Sequence, residues 1–114
     1  MTQTQAFLLT LAIEVPVVCV GAWASAAPRA AWRRLPFVAV AASALTHPLL
    51  WLVDPALAPH VGRALRWGVL ETTIAVVEGL GYAYAAGLGV RRGLALGFLA
   101  NAVSFGVGLW IYYG

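Results

Sequence analysis

Four apolar segments, at about 5–24, 35–53, 67–88 and 93–113, leave this chain little choice of surroundings. Each is close to the roughly 20 residues that a helix needs to cross a bilayer core. All seven Arg lie between the segments, and there is no Lys. Charged side chains make up 10% of the 114 residues and apolar ones 62%, against about 25% and 45–50% in a soluble domain. So few charges cannot clothe a water-facing surface. That excludes a soluble globular enzyme, a disordered tail and a nucleic-acid-binding module, and it makes the lipid bilayer the solvent.

No segment alternates apolar and polar residues with a period of two, so the spans are helices and not membrane strands. The connections, 25–34, 54–66 and 89–92, are short and force antiparallel neighbours. The expected fold is therefore all-α: a polytopic, up-down-up-down bundle of four transmembrane helices forming a single domain over residues 1–114. The first segment reads as a retained helix. Ala24-Ser25-Ala26 fits a cleavage pattern, but no positive charge precedes the segment, and Glu14 and Pro16 interrupt it. Pro36 suits the first turn of the second helix, where its missing N–H costs nothing. Pro59 is placed to start the third helix early, with Arg63 and Arg66 on its first turns.

Arg29, Arg33, Arg34, Arg91 and Arg92 lie in the first and third connections, and Arg63 and Arg66, partly offset by Asp54, in the second. The positive-inside rule then places connections 25–34 and 89–92 in the cytoplasm and both termini outside, in an inner or plasma membrane. This arrangement accounts for the net charge of +3 without a nucleic-acid partner. Trp23, Trp32, Trp51, Trp67, Trp110, Tyr112 and Tyr113 fall at segment ends, as an interfacial aromatic belt does. Cys19 is the one cysteine, so no disulfide forms within the chain.

The informative residues are polar ones inside the apolar segments: Glu14, His47, Glu71, Glu78, Asn101 and Ser104. A charged carboxylate at the bilayer centre costs a few kcal/mol, so such residues face the bundle, pair, or stay protonated. With about 1.5 Å of rise per residue, Glu14, Glu78, Asn101 and Ser104 lie roughly 14–18 Å deep, and His47 and Glu71 roughly 6–9 Å. Glu71, Glu78 and Tyr82 share one helix face, as do Ser43 and His47 on another helix. Gly93, Gly97, Asn101, Ser104 and Gly108 form a small-and-polar stripe whose glycines suit close helix packing. Pro16 and Pro48 free the carbonyls of Ala12 and Ala44 beside Glu14 and His47.

Protonatable groups at this depth serve proton relays and carrier sites. The expected function is therefore a proton- or cation-linked carrier of small solutes. Glu14, Glu78, Asn101, Ser104 and Tyr82 form its inner site, with His47 and Glu71 nearer the surface. Four helices barely enclose a path, so a carrier implies a homo-oligomer. Two alternatives stand beside it: an accessory subunit docking a larger membrane protein, and an intramembrane enzyme or cofactor holder. No metal-ligand spacing or nucleophile motif is present; His47 and Glu71 are the natural first pair for a metal if one binds. No cofactor is named by the sequence.

Overall fold

The computed structural model describes residues 2–113, apart from the side chains of Tyr112 and Tyr113, so the aromatic-belt expectation for those two lies outside the described residues. Four helices and no strands are found among them: α1 Gln3–Ala24, α2 Arg29–Leu57, α3 Arg63–Tyr84 and α4 Val90–Tyr113. The all-α bundle read from the sequence is the observed fold, and the helix ends differ for identifiable reasons.

A reciprocal capping box starts α1. The Thr2 hydroxyl accepts the Gln5 N–H at 3.1 Å and the Gln5 side-chain oxygen accepts the Thr2 N–H at 3.0 Å, satisfying donors that a helix N-terminus leaves orphaned. At its other end Ala26 sits at φ +55°, while the Ala26 and Ala27 N–H groups bond back to the Trp23 and Ala22 carbonyls. That is a Schellman closure with alanine at the position glycine usually takes.

Next in the chain, α2 is longer than its apolar segment, because the Arg-bearing sequence before Leu35 is helical too. Its 29 residues span about 43 Å at 1.5 Å each, more than the roughly 30 Å hydrocarbon layer. Pro28 caps it, so Pro36 is the eighth residue of the helix and not in its first turn, and the helix continues through Pro36, Pro48 and Pro55. Gly62, and not Pro59, precedes α3. At its far end α3 stops at Tyr84, short of the expected 88, where the chain turns through Gly87 at φ +80° and Gly89 at φ +83°. Glycine enters these left-handed conformations without the Cβ clash other residues meet.

By length and composition α1, α2 and α4 are apolar enough to cross a membrane, and α3 is not among them. Four equal spans are thus narrowed to three plus a helix that completes the bundle. The difference lies in Arg63, Arg66, Glu71 and Glu78, which lower the hydropathy of α3. Large apolar side chains are turned outward: Phe37 is 78% exposed, Leu45 72% and Trp110 74%. An apolar envelope of this extent suits lipid.

The helices form a ring in chain order. α1 packs on α2, α2 on α3, α3 on α4 and α4 on α1, while the diagonal pairs make no backbone approach within 8 Å among the described residues. α3 and α4 are the tightest pair. A Cβ on Gly97 would lie 2.6 Å from the Ala75 carbonyl oxygen, and one on Gly93 2.5 Å from that of Gly79. Small residues permit backbone contact of this kind. In the half of the bundle nearest the 25–28 and 85–89 turns, Val18, Ala22, Leu35, Ala39, Tyr82, Ala86, Leu96 and Ala100 close the centre with a dry core.

Candidate functional site

The inner face of each helix carries a buried stripe that changes from apolar to polar at one level. On α1 the buried residues are Ala22, Val18 and Glu14; on α2 they run Leu35, Ala39, Ser43, then Thr46 and His47. On α3 Tyr82 is followed by Glu78 one turn away, and on α4 Ala100 adjoins Asn101. On α1, α2 and α3, three- and four-residue spacings keep the polar side chains on the face the core residues have already turned inward. Every helix thus contributes to one polar layer resting on the dry core.

Glu14 and Glu78 both lie in this layer, each only 1% exposed, with their carboxyl groups near enough to interact. They come from α1 and α3, which face each other diagonally, so only the reach of two long side chains joins them. The Ser43 hydroxyl donates to Glu14 Oε2 at 3.0 Å. Thr46 Oγ1 is 3.0 Å from both Glu78 Oε1 and the Ala42 carbonyl oxygen. Tyr82 donates to Glu78 Oε2 at 3.4 Å, and the Asn101 amide spans 3.5 Å to the same oxygen while donating to the Gly97 carbonyl at 2.8 Å. No buried side-chain nitrogen or oxygen lacks a partner among the described residues.

An ionised carboxylate only accepts hydrogen bonds. Two buried carboxylates this close repel each other when both are ionised. The single proton of the Thr46 hydroxyl serves both of its neighbours only if it is shared, or if a protonated Glu78 donates to Thr46.

Above the pair, toward the termini, lies a cavity of about 520 Å³. Glu14, Glu78, Ser43, Thr46 and Asn101 form its floor; Glu71, His47 and Ser104 line it higher up, with Trp51, Trp67, Phe105, Leu50 and Ile74 as walls. It extends to Pro55 and Arg63, both exposed. At this mouth Arg66 pairs with Asp54 and also donates to the Val61 carbonyl at 3.0 Å, tying the end of α2 to the start of α3. The Arg63 guanidinium stands 5.3 Å from the centre of the Trp67 ring.

The sequence-derived residues Glu14, Glu78, Asn101, Ser104, His47 and Glu71 all line this cavity, and Tyr82 lies just beneath it in the dry core. His47 does not lean on Glu71 through Nε2: that atom accepts from Trp51 Nε1 at 3.1 Å, with the Phe7 ring 5.6 Å away. Among the described residues no group of three or more His, Cys, Asp or Glu is gathered as a metal site would need. Gly108 departs from the packing expected of its stripe. It lines the cavity, and a Cβ there would meet nothing within 4 Å. Trp51 and Trp67 are more than belt residues, since both wall the cavity.

Thr46 and Thr10 escaped the sequence reading because threonine is unremarkable in an apolar helix. The place of Thr46 one turn after Ala42 and beside His47 was the one available signal. No protein family, curated protein or solved structure matches this chain.

Proposed function

We propose that this chain is a small integral-membrane carrier that couples movement of a small solute to a proton or cation through the Glu14–Glu78 pair. The observation that carries this reading is where the pair faces. A subunit docking a larger protein needs its polar groups on an outer face. Here both carboxyls are turned into an internal cavity that runs toward one end of the bundle and stops at a dry core. Two buried carboxyls at the blind end of such a vessel are suited to exchanging a proton for a ligand, as intramembrane carboxylates in carriers do.

Arg distribution supports the cavity mouth being external, with connections 25–34 and 89–92 in the cytoplasm. A carrier must also expose the pair to the other side, by loosening the Val18–Leu35–Tyr82–Leu96 plug. The looser helix pairs around the ring, and not the glycine-locked α3–α4 seam, are the elements free to do this. A homo-oligomer remains part of the proposal, because the cavity of one chain is open along part of its wall, with Trp51, Pro55 and Arg63 exposed.

The test is proton movement in liposomes containing the purified protein and an internal pH dye, challenged with inward gradients of a panel of small cations, amino acids and sugars. At least one solute should move protons through the wild type, and Glu14→Gln and Glu78→Gln should each reduce that flux by about tenfold or more, the size of effect expected for an essential proton-transfer group. Wild-type flux equal to that of empty liposomes across the panel, or unchanged flux in both variants, would overturn the reading.

A further inference from the structure

The carrier reading leaves the solute open, and the cavity itself narrows it. We infer that the cavity is a binding site for a monovalent organic cation with an apolar body, seated with its charge at Glu14 and Glu78. Three features of the lining converge on this ligand class.

The first is charge. Glu14, Glu71 and Glu78 are the ionisable acids of the inner cavity, and the lining brings no Lys or Arg deeper than Arg63. Arg63 is fifteen residues before Glu78 on the same helix, about 22 Å along its axis. Arg66 at the mouth is already matched by Asp54. His47, through Nε2, accepts a hydrogen bond from Trp51 and so offers no cation there. α4 presents Asn101 and Ser104, neither of them ionisable. Tyr82 from α3 donates to Glu78. The floor is therefore acceptor-rich and unopposed by positive charge, which favours a cationic guest and disfavours an anion.

The second is the wall. Trp51, Trp67 and Phe105 line the cavity between mouth and floor, and aromatic faces attract cations and cover apolar groups at once. One of these faces is seen in that role, with the Arg63 guanidinium lying over Trp67. Leu50, Ile74 and Leu109 complete a wall suited to alkyl or aryl substituents.

The third is size and class. At about 520 Å³ the cavity falls within the roughly 300–1,000 Å³ typical of small-molecule sites. Among the described residues no cluster of three or more His, Cys, Asp or Glu is gathered, so the lining is not built as a transition-metal centre. A bulky ammonium needs no such cluster. It asks for a diffuse negative charge and an apolar sleeve.

The inference rests on the carrier reading for its biological meaning but is tested by binding alone. Benzyltrimethylammonium and its uncharged isostere neopentylbenzene would be titrated into the purified full chain in detergent, following tryptophan fluorescence and calorimetry. The cation should bind saturably and about tenfold or more tightly than the isostere, the ratio a desolvated cation–aromatic contact and a carboxylate together support. Glu14→Gln with Glu78→Gln should remove that preference, and Trp51→Leu should weaken the cation while leaving helical content intact. Equal binding of the isostere, no binding of either, or an undiminished cation preference in the double variant would each overturn it. The isostere comparison needs only the wild type, so a variant that fails to fold does not spare the inference. Cation binding without solute-driven proton flux would remove the carrier reading and leave this one standing. Flux with another solute and no cation binding would do the reverse.

Discussion

Glu14 and Glu78 set the chemistry of the molecule at the scale of single residues. Each is held by hydroxyls that α2 supplies, Ser43 for Glu14 and Thr46 for Glu78. Leaving one buried carboxyl oxygen without its donor costs about 1–3 kcal/mol. Ser43→Ala should therefore lower unfolding stability by about that amount, measured by chemical denaturation in detergent. Val40→Ala, at a site 43% exposed on the same helix, should change it by about 0.5 kcal/mol or less. Equal losses at the two positions would mean that the Ser43 contact contributes nothing. The carboxyls were legible in the sequence because charge inside an apolar run stands out. Their pairing was not, because it depends on α1 and α3 being diagonal partners, and no spacing within one segment encodes that. Nor was Thr46 legible, since an apolar helix accommodates threonine for many reasons.

Helices and their seams carry a second set of expectations. Gly97 and Gly108 look alike in the sequence stripe, yet one lies against the α3 backbone and the other faces open cavity. Gly97→Ala forces α3 and α4 apart, and overpacking of this kind costs about 1–3 kcal/mol. At Gly108 the same change meets no atom, and the lower entropy of the unfolded chain should give about 0.4–1 kcal/mol of added stability. Opposite signs in paired thermal-unfolding measurements are the expected result; equal signs would contradict the seam. At Ala26 the left-handed backbone costs an L-residue about 1–2 kcal/mol. Ala26→Gly, which relieves this at some loss of chain entropy, should raise the unfolding midpoint. The four helices could be read from the apolar pattern of whole segments, although α3 falls short of the hydropathy of a membrane span. Their ends could not: α2 runs past its apolar stretch on the strength of Arg and Ala helix propensity, and α3 halts where Gly87 and Gly89 turn the chain.

For the whole molecule, a dry core at one end and a polar vessel at the other make the bundle asymmetric along its axis. In a cysteine-free background made with Cys19→Ala, Ser104→Cys should react with a membrane-impermeant thiol reagent added on the termini side. Ala39→Cys, within the dry core, should resist it from both sides. Labelling of Ala39→Cys at a similar rate would mean that the plug is not closed. The central claim is narrower than this: two carboxyls from diagonal helices share protons at the floor of the vessel. Infrared difference spectroscopy of the carboxyl C=O stretch, near neutral pH in H2O and D2O, tests it most directly. A deuterium-sensitive protonated-carboxyl band that is altered by Glu14→Gln and by Glu78→Gln alike is the expected result. Two independent signals, each surviving the other's substitution unchanged, would contradict the shared pair and with it the account of this protein as a proton-linked carrier.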